Sequence, residues 1–406
     1  MKIKGTYELA VTGYDWGCGT DAVITLDSAV TCIKDIRVTE YKQTTDFTKI
    51  PEFPVIVTEF ARTVEEAYPC DENGNKAEGP SARFFVKMTA SPSEGSPLLF
   101  SMKTMFNTWS DPYELRFSGT AVTGKEEAEL DIDPVCRGMK TDADRFSFDT
   151  FRSSSGMAYD YAYYIPEGGS DKLLIWLHGI GEGGTDHTDP KVTVLANKVT
   201  AYIGDELQEA VGKACVLVPQ CPTYWMDGDG TGTNLANGSI QADGTSFYTE
   251  SLMELIRDFK TRAGTKKTVL SGCSNGGYMT LVMTINYPQE FDAIIPVCEA
   301  VADKFISDEQ IAVLKEMPSY YVYSRDDTTV DPLLHEEPTL RRIIKAGAKE
   351  LYVSNTDHVE DLSGKVLDKD GRPYRYPGHW SWIYLFNNEC DAVGYKAFDF
   401  IKDHLN

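Results

Sequence analysis

Lys266-Lys267-Thr268-Val269-Leu270-Ser271-Gly272-Cys273-Ser274-Asn275-Gly276-Gly277-Tyr278-Met279-Thr280-Leu281-Val282-Met283-Thr284-Ile285-Asn286 decides how the rest of the chain is read. Thr268-Val269-Leu270 is short, apolar and partly β-branched, the composition of a buried strand. The run breaks at Ser271-Gly272. Tyr278, Met279, Leu281, Val282 and Ile285 then recur at helical spacing, and Pro288 stops the helix. Between strand and helix lies Gly272-Cys273-Ser274-Asn275-Gly276, a G-x-S-x-G pattern. A serine at the apex of such a turn is exposed above the sheet in a strained backbone conformation. Side chains at the flanking glycines would run into strand and helix. The N–H of Asn275 points towards the carbonyl that this serine attacks, and the helix N-terminus reinforces it as an oxyanion donor. Chance occurrence in a glycine-rich chain is the competing explanation. The strand before the pattern and the helix after it argue against chance.

A chain of 406 residues suits two domains, and 42% hydrophobic with 11% aromatic residues suits packed cores. The net charge of −23 repels nucleic acid and anionic membranes, so neither is expected as a partner. A neutral or cationic small molecule fits that field. No apolar run is long enough for a transmembrane helix. The N-terminus, MKIKGTYELAVTGYDWG, has no apolar signal-peptide core, so the expectation is either a cytoplasmic protein or a secreted one whose signal peptide has been removed. Nine cysteines are scattered without a C-x-x-C pair, which argues against zinc and against a dense disulfide framework. A single bridge involving Cys221 or Cys390 stays open. Oligomeric state is not legible.

Residues 1–135 carry strand signals and almost no helix. Runs such as Ala22–Leu26, Arg83–Met88 and Glu114–Phe117 are separated by turn clusters such as Asp71-Glu72-Asn73-Gly74-Asn75. The expectation is an antiparallel β-sandwich of immunoglobulin type. Within it, Gly13-Tyr14-Asp15-Trp16-Gly17 reads as a buried tryptophan beside a tight turn. Residues 136–150 are polar and read as a linker. Residues 151–406 alternate strands (159–165, 173–177, 215–219, 293–297, 320–323, 351–353) with helices (246–262, 336–346, 388–403). That order predicts an α/β fold, a mostly parallel sheet covered on both faces.

A nucleophilic serine needs a base, an orienting acid and a second oxyanion donor. Leu177-His178-Gly179-Ile180-Gly181-Glu182-Gly183-Gly184 follows an apolar strand, and its free N–H groups face the nucleophile in this architecture. Ile180 is the expected donor, with Gly181 second. His178 reads as a brace for the loop. The acid follows a later strand, at Asp327 or Asp326. Asp327 is preferred because Val330 gives it an apolar anchor. The base is His379 or His358. His379, in Gly378-His379-Trp380-Ser381-Trp382 after a hairpin turning at Lys369-Asp370-Gly371, is preferred. Tyr224, Trp225 and Trp380 are candidate substrate contacts. Trp225-Met226-Asp227-Gly228-Asp229-Gly230-Thr231-Gly232-Thr233-Asn234 is faintly like a calcium loop, but Gly238 stands where an EF-hand has its closing acid, so it reads as a plain loop.

With these residues in place, 151–406 resembles α/β-hydrolase esterases of the poly(3-hydroxybutyrate)-depolymerase-like type, relatives of feruloyl and acetyl-xylan esterases. The likeness covers Leu177-His178-Gly179, Gly272–Gly277, Asp327 with Val330, and Gly378-His379 with Ser381-Trp382, followed by Asn387-Asn388. It implies Ser274, Asp327 and His379 as triad, no metal or cofactor, and an ester substrate, small or linked to a polysaccharide. Several members carry an N-terminal immunoglobulin-like domain. Ile180 is bulkier than the residue common at that place. A serine peptidase with the same triad and a non-catalytic glycan-binding protein are the competing functions.

Overall fold

The computed structural model describes residues 2–232 and 242–406. The chain divides into two compact units, Met1–Lys103 with Asn107–Asp144, and Thr104–Phe106 with Arg145–Asn406.

The first unit is all-β, with strands β1 (Lys2–Tyr14), β2 (Gly17–Val30), β3 (Cys32–Thr45), β4 (Val55–Arg62), β5 (Val64–Pro69), β6 (Ser81–Met88), β7 (Leu98–Phe100), β8 (Asn107–Trp109), β9 (Tyr113–Thr123) and β10 (Glu126–Thr141). Tyr7, Leu9, Val11 and Gly13 of β1 are buried alternately, as in a strand with one face on a core. The β1–β2 turn buries Trp16 and stacks it on Tyr14 at 5.1 Å. Two separate sheets were expected. Hydrogen bonding instead joins eight strands in one sheet, ordered β4-β3-β9-β10-β1-β2-β6-β5. The reason is the length of β10. Its first residues pair antiparallel with β9, and it then runs parallel to β1 as far as Thr141. The expected linker at 136–150 is likewise corrected. Cys136–Thr141 complete β10, and Ser147–Arg152 already form a strand of the second unit. Polarity there marks half-exposed strand faces, which composition alone does not separate from a tether.

The second unit contains β11 (Ser147–Arg152), β12 (Ala158–Tyr164), β13 (Lys172–Leu177), β14 (Cys215–Pro219), β15 (Lys267–Cys273), β16 (Ala293–Val297), β17 (Ser319–Ser324) and β18 (Leu351–Thr356). Among the described residues its helices are α1 (Val192–Leu195), α2 (Asp205–Val211), α3 (Thr249–Ala263), α4 (Asn275–Asn286), α5 (Asp308–Leu314), α6 (Glu336–Lys345), α7 (Trp382–Phe386) and α8 (Ala397–Leu405). The sheet order is β11-β12-β14-β13-β15-β16-β17-β18. Pairing is antiparallel through β11, β12 and β14, and parallel from there on. Every residue of β14, β16 and β17 is buried, which requires cover on both faces of the sheet. The last helix is shorter than the expected 388–403. Val393 and Gly394 both have positive φ and turn a small ribbon of Asp391–Ala392 with Tyr395–Lys396. Only then does α8 begin.

Strand β15 and helix α4 meet without room for side chains. A Cβ on Gly276 would overlap the carbonyl oxygen of Leu177, and one on Gly272 would lie 2.5 Å from that of Gly276. All of these obstructions are backbone, which cannot swing aside. Gly276→Ala should therefore destabilise the protein by about 3 kcal/mol or more, read as a lower urea midpoint at unchanged slope.

Candidate active site

Ser274 follows β15 with φ 55° and ψ −118°, a conformation L-residues rarely adopt. Its N–H donates to the Val297 carbonyl at 2.9 Å, pinning the turn to β16. Backbone strain of this kind costs about 1–3 kcal/mol and persists only where its surroundings fix it. The strain lifts the serine hydroxyl clear of the sheet, where it meets His379. His379 Nε2 lies 2.9 Å from Ser274 Oγ, and its Nδ1 lies 2.7 Å from Asp327 Oδ2. The Asp327 side chain is 1% exposed. Its other oxygen accepts the N–H groups of Thr329 and Val330 at 2.8 and 2.9 Å. With Asp327 an acceptor, His379 holds its proton on Nδ1 and leaves Nε2 free to accept from the serine.

The two expected oxyanion donors each open a helical turn. Asn275 is the first residue of α4, and its N–H is among the donors left unused at a helix start. Its side-chain oxygen accepts the Met226 N–H at 2.9 Å. Ile180, half-buried, opens a short 3-10 turn, so its N–H likewise has no partner within that turn. His178 braces this loop from below. It is fully buried; its Nε2 accepts the Cys221 N–H at 2.9 Å, and its Nδ1–H donates to the Gly179 carbonyl at 2.6 Å. Gly184 N–H then reaches the Cys221 carbonyl at 2.9 Å, stitching the two loops together. Burial lowers the His178 pKa to about 4, so the ring is neutral at physiological pH.

The two aspartates divide the work. Asp326 accepts from Ser324 Oγ at 2.6 Å and from the Arg375 guanidinium at 2.7 Å. Arg375 belongs to the hairpin that leads to His379, in which Leu367 pairs with Pro373. Gly378 has no space for a side chain beside Asp326. Asp326 thus ties down the hairpin that leads to His379, while Asp327 bonds the His379 ring. Arg325 pairs with Asp357 at 2.6 Å instead of with Asp326. His358 faces Glu360 at 3.3 Å and is not bonded to the serine.

The expected substrate contacts divide. Tyr224 and Trp225 are fully buried, with Trp225 against His178, Tyr159 and Tyr248, so both pack the loop down and neither lines a cleft. Trp380 is half-buried and packs beside Tyr376 and Trp382. Asp227, in the expected plain loop, spends its carboxylate on Thr223 Oγ1 and on the N–H groups of Asp229, Gly230 and Gly232. Thr233, Asn234 and Gly238 lie outside the described residues. All nine cysteines are free thiols, Cys221 and Cys390 included. Buried Cys273, beside the serine, has its pKa pushed well above the ordinary thiol range by burial. The bracing roles of Arg375 and Ser324 had no sequence signal, because the partners are brought together only by the fold. An apolar groove of about 700 Å³ lies between Phe305, Leu333, Leu334 and Pro338, and no triad residue lines it.

Residues 164–359, somewhat under half of the chain, match the family model of phospholipases and carboxylesterases. Among solved structures, a thermostable esterase superposes with a TM-score of 0.69 at 18% identity, over 94% of this chain and 96% of its own. An S-formylglutathione hydrolase from Agrobacterium tumefaciens gives 0.42 at 11% identity, over 64% and 95%. A ferulic acid esterase gives 0.38 at 13%, over 51% and 88%. No curated protein matches the sequence. The second unit has the α/β-hydrolase fold.

The His178 shift has a sign that can be measured. Its folded pKa lies below the ordinary 6.5, so the unfolded chain binds the extra proton between those values. Stability should fall as the pH drops from about 6.5 to about 4, by up to about 3 kcal/mol from this group. Thermal melts of wild type and His178→Asn across that range should show a shallower acid-side slope in the variant.

Proposed function

We propose that the chain is a serine carboxylic-ester hydrolase that works through an acyl-enzyme. The observation that carries this reading is the unbroken hydrogen-bonded run Asp327–His379–Ser274, with the serine on a strained elbow. His379 takes the proton of Ser274 as Oγ attacks the ester carbon. The carbonyl oxygen gains negative charge, and the Asn275 and Ile180 N–H groups stabilise it. His379 then hands the proton to the departing alcohol. Water, activated by the same imidazole, releases the acid and restores the serine. Asp327 keeps the ring in its tautomer and balances its charge. The family model and the fold shared with an esterase support the ester reading over the amide one.

The reading extends to small carboxylic esters and to feruloyl or acetyl groups on polysaccharides, with Trp380 beside the base as substrate contact. The first unit, although β10 joins its strands into one sheet, is read as an immunoglobulin-like domain, on the parallel pairing of its first and last strands. No helix among the described residues is long and apolar enough to cross a membrane. A soluble ester in the cytoplasm or outside the cell fits the acidic surface.

Hydrolysis of p-nitrophenyl esters from acetate to octanoate, with methyl ferulate and a peptide p-nitroanilide alongside, tests the proposal. Ser274→Ala should lower ester turnover by about 10⁴-fold or more. Asp327→Asn should cost about 10⁴-fold by upsetting the tautomer, whereas Asp326→Asn should cost about tenfold by loosening the hairpin. Turnover of the anilide alone would favour a peptidase. Folded protein inert towards every substrate would point to glycan binding.

A further inference from the structure

Behind the acid of the triad lies a second pair of carboxyls that the reaction above does not use. Glu299 sits two residues beyond β16, and Glu336 is the first residue of α6. They are 0% and 1% exposed. One Glu299 oxygen accepts the Val301 N–H at 2.7 Å. Among the described residues, the other Glu299 oxygen and the buried hydroxyl of Tyr321 in β17 have no hydrogen-bond partner, and the Glu336 carboxyl meets only backbone N–H groups of Glu299 and Glu336. Ionised carboxylates so placed are unfavourable, so burial of this kind is stable only with protons in place.

The backbone around the pair is held firmly. Asp303 N–H donates to the Leu334 carbonyl at 3.0 Å, and the Asp303 carboxylate accepts from Thr339 and Arg342 of α6 at 3.1 and 2.8 Å. These bonds close the loop after β16 onto α6. Glu299 also presses on the nucleophile helix, because a Cβ on Gly277 would come within 2.9 Å of the Glu299 Cα. Glu336 ends the segment that starts at Asp327. Glu299 thus lies against the first turn of α4, and Glu336 opens the helix that Asp303 bonds to the loop of Glu299.

We propose that Glu299 and Glu336 form a carboxyl pair holding at least one proton at neutral pH, and that this pair positions Asp327 relative to the nucleophile helix. Burial pushes the Glu299 carboxyl up to about 8, and burial, then the charge of Glu299, pushes Glu336 well above the usual range. The groups that face the pair are Tyr321 and Tyr323 of β17, Cys298 and Asp303 of the loop after β16, Tyr278 of α4 and Asp327 itself. Asp303 is neutralised by Arg342, and the Tyr278 hydroxyl donates to the Thr245 carbonyl. The unfolded chain gives up the carboxyl protons at ordinary acidic pH. Stability thus falls as the pH rises from that range to about 8, then levels off for Glu299.

This inference rests on the triad reading, so two measurements separate them. Thermal melts on a Ser274→Ala background, from about pH 5 to about pH 8, read the pair as the difference between the parent's curve and the variants' curves. Glu299→Gln and Glu336→Gln should each flatten the fall in Tm as the pH rises over that range, and the double variant should flatten it further. In the chain with Ser274 intact, Glu336→Ala should lower kcat about tenfold with KM within about twofold, and Glu336→Gln should recover most of that loss. Gln variants that trace the parent's pH curve, or Ala and Gln variants that lose kcat equally, would overturn the proposal. If Glu336→Ala does not fold, the Gln melts decide. Ester turnover surviving in Ser274→Ala would remove the triad reading and leave the melting result standing.

Discussion

The contact of backbone with backbone at Gly272 and Gly276 is the constraint from which the second unit is built. Helix α4 can start directly above β15 only because neither glycine carries a side chain. That approach forces Ser274 into φ 55°, and the Val297 carbonyl then fixes the serine to the neighbouring strand. The loops after β13, β16 and β17 meet at the same edge because parallel strands all deliver their carboxyl ends there. The chemistry of the site follows from sheet direction before any side chain is considered.

What could be read from residue order alone was local. The elbow was legible because strand, turn and helix occupy one continuous stretch, and the serine at its apex needed no partner to be recognised. His379 and Asp327 were legible as preferences over His358 and Asp326, resting on position after later strands and on the apolar anchor at Val330. Distances of 2.7 and 2.9 Å now link Asp327, His379 and Ser274. The role of Asp326 was out of reach, since its partner Arg375 is forty-nine residues away. Tyr224 and Trp225 illustrate the opposite failure. Their place after a strand on the catalytic edge suggested a cleft wall, yet large aromatics next to buried Tyr159 and Tyr248 gain more by leaving water. In the first unit, strand content was legible and sheet count was not, because a single long strand changing partners leaves no mark in composition.

The carboxyl pair shows a further limit. Glutamate is an exposed residue on average, and nothing near Glu299 or Glu336 in the chain signals burial. Glu299 falls in Val297-Cys298-Glu299-Ala300-Val301, where apolar neighbours identify the segment as core and leave the acid unexplained. Only the fold shows that two acids share that core with Tyr321.

The tether on the base differs in kind from the tether on the acid. Asp327 is held by backbone N–H groups in a buried place, beyond the reach of dissolved ions. The hairpin that carries His379 is held through Arg375 and Asp326, whose side chains are 62% and 32% exposed. Mobile ions screen such a surface pair and leave buried bonds nearly untouched. Of the two tethers on the proposed triad, the one through Arg375 and Asp326 is therefore open to the salt content of the surroundings, and the one on Asp327 is not.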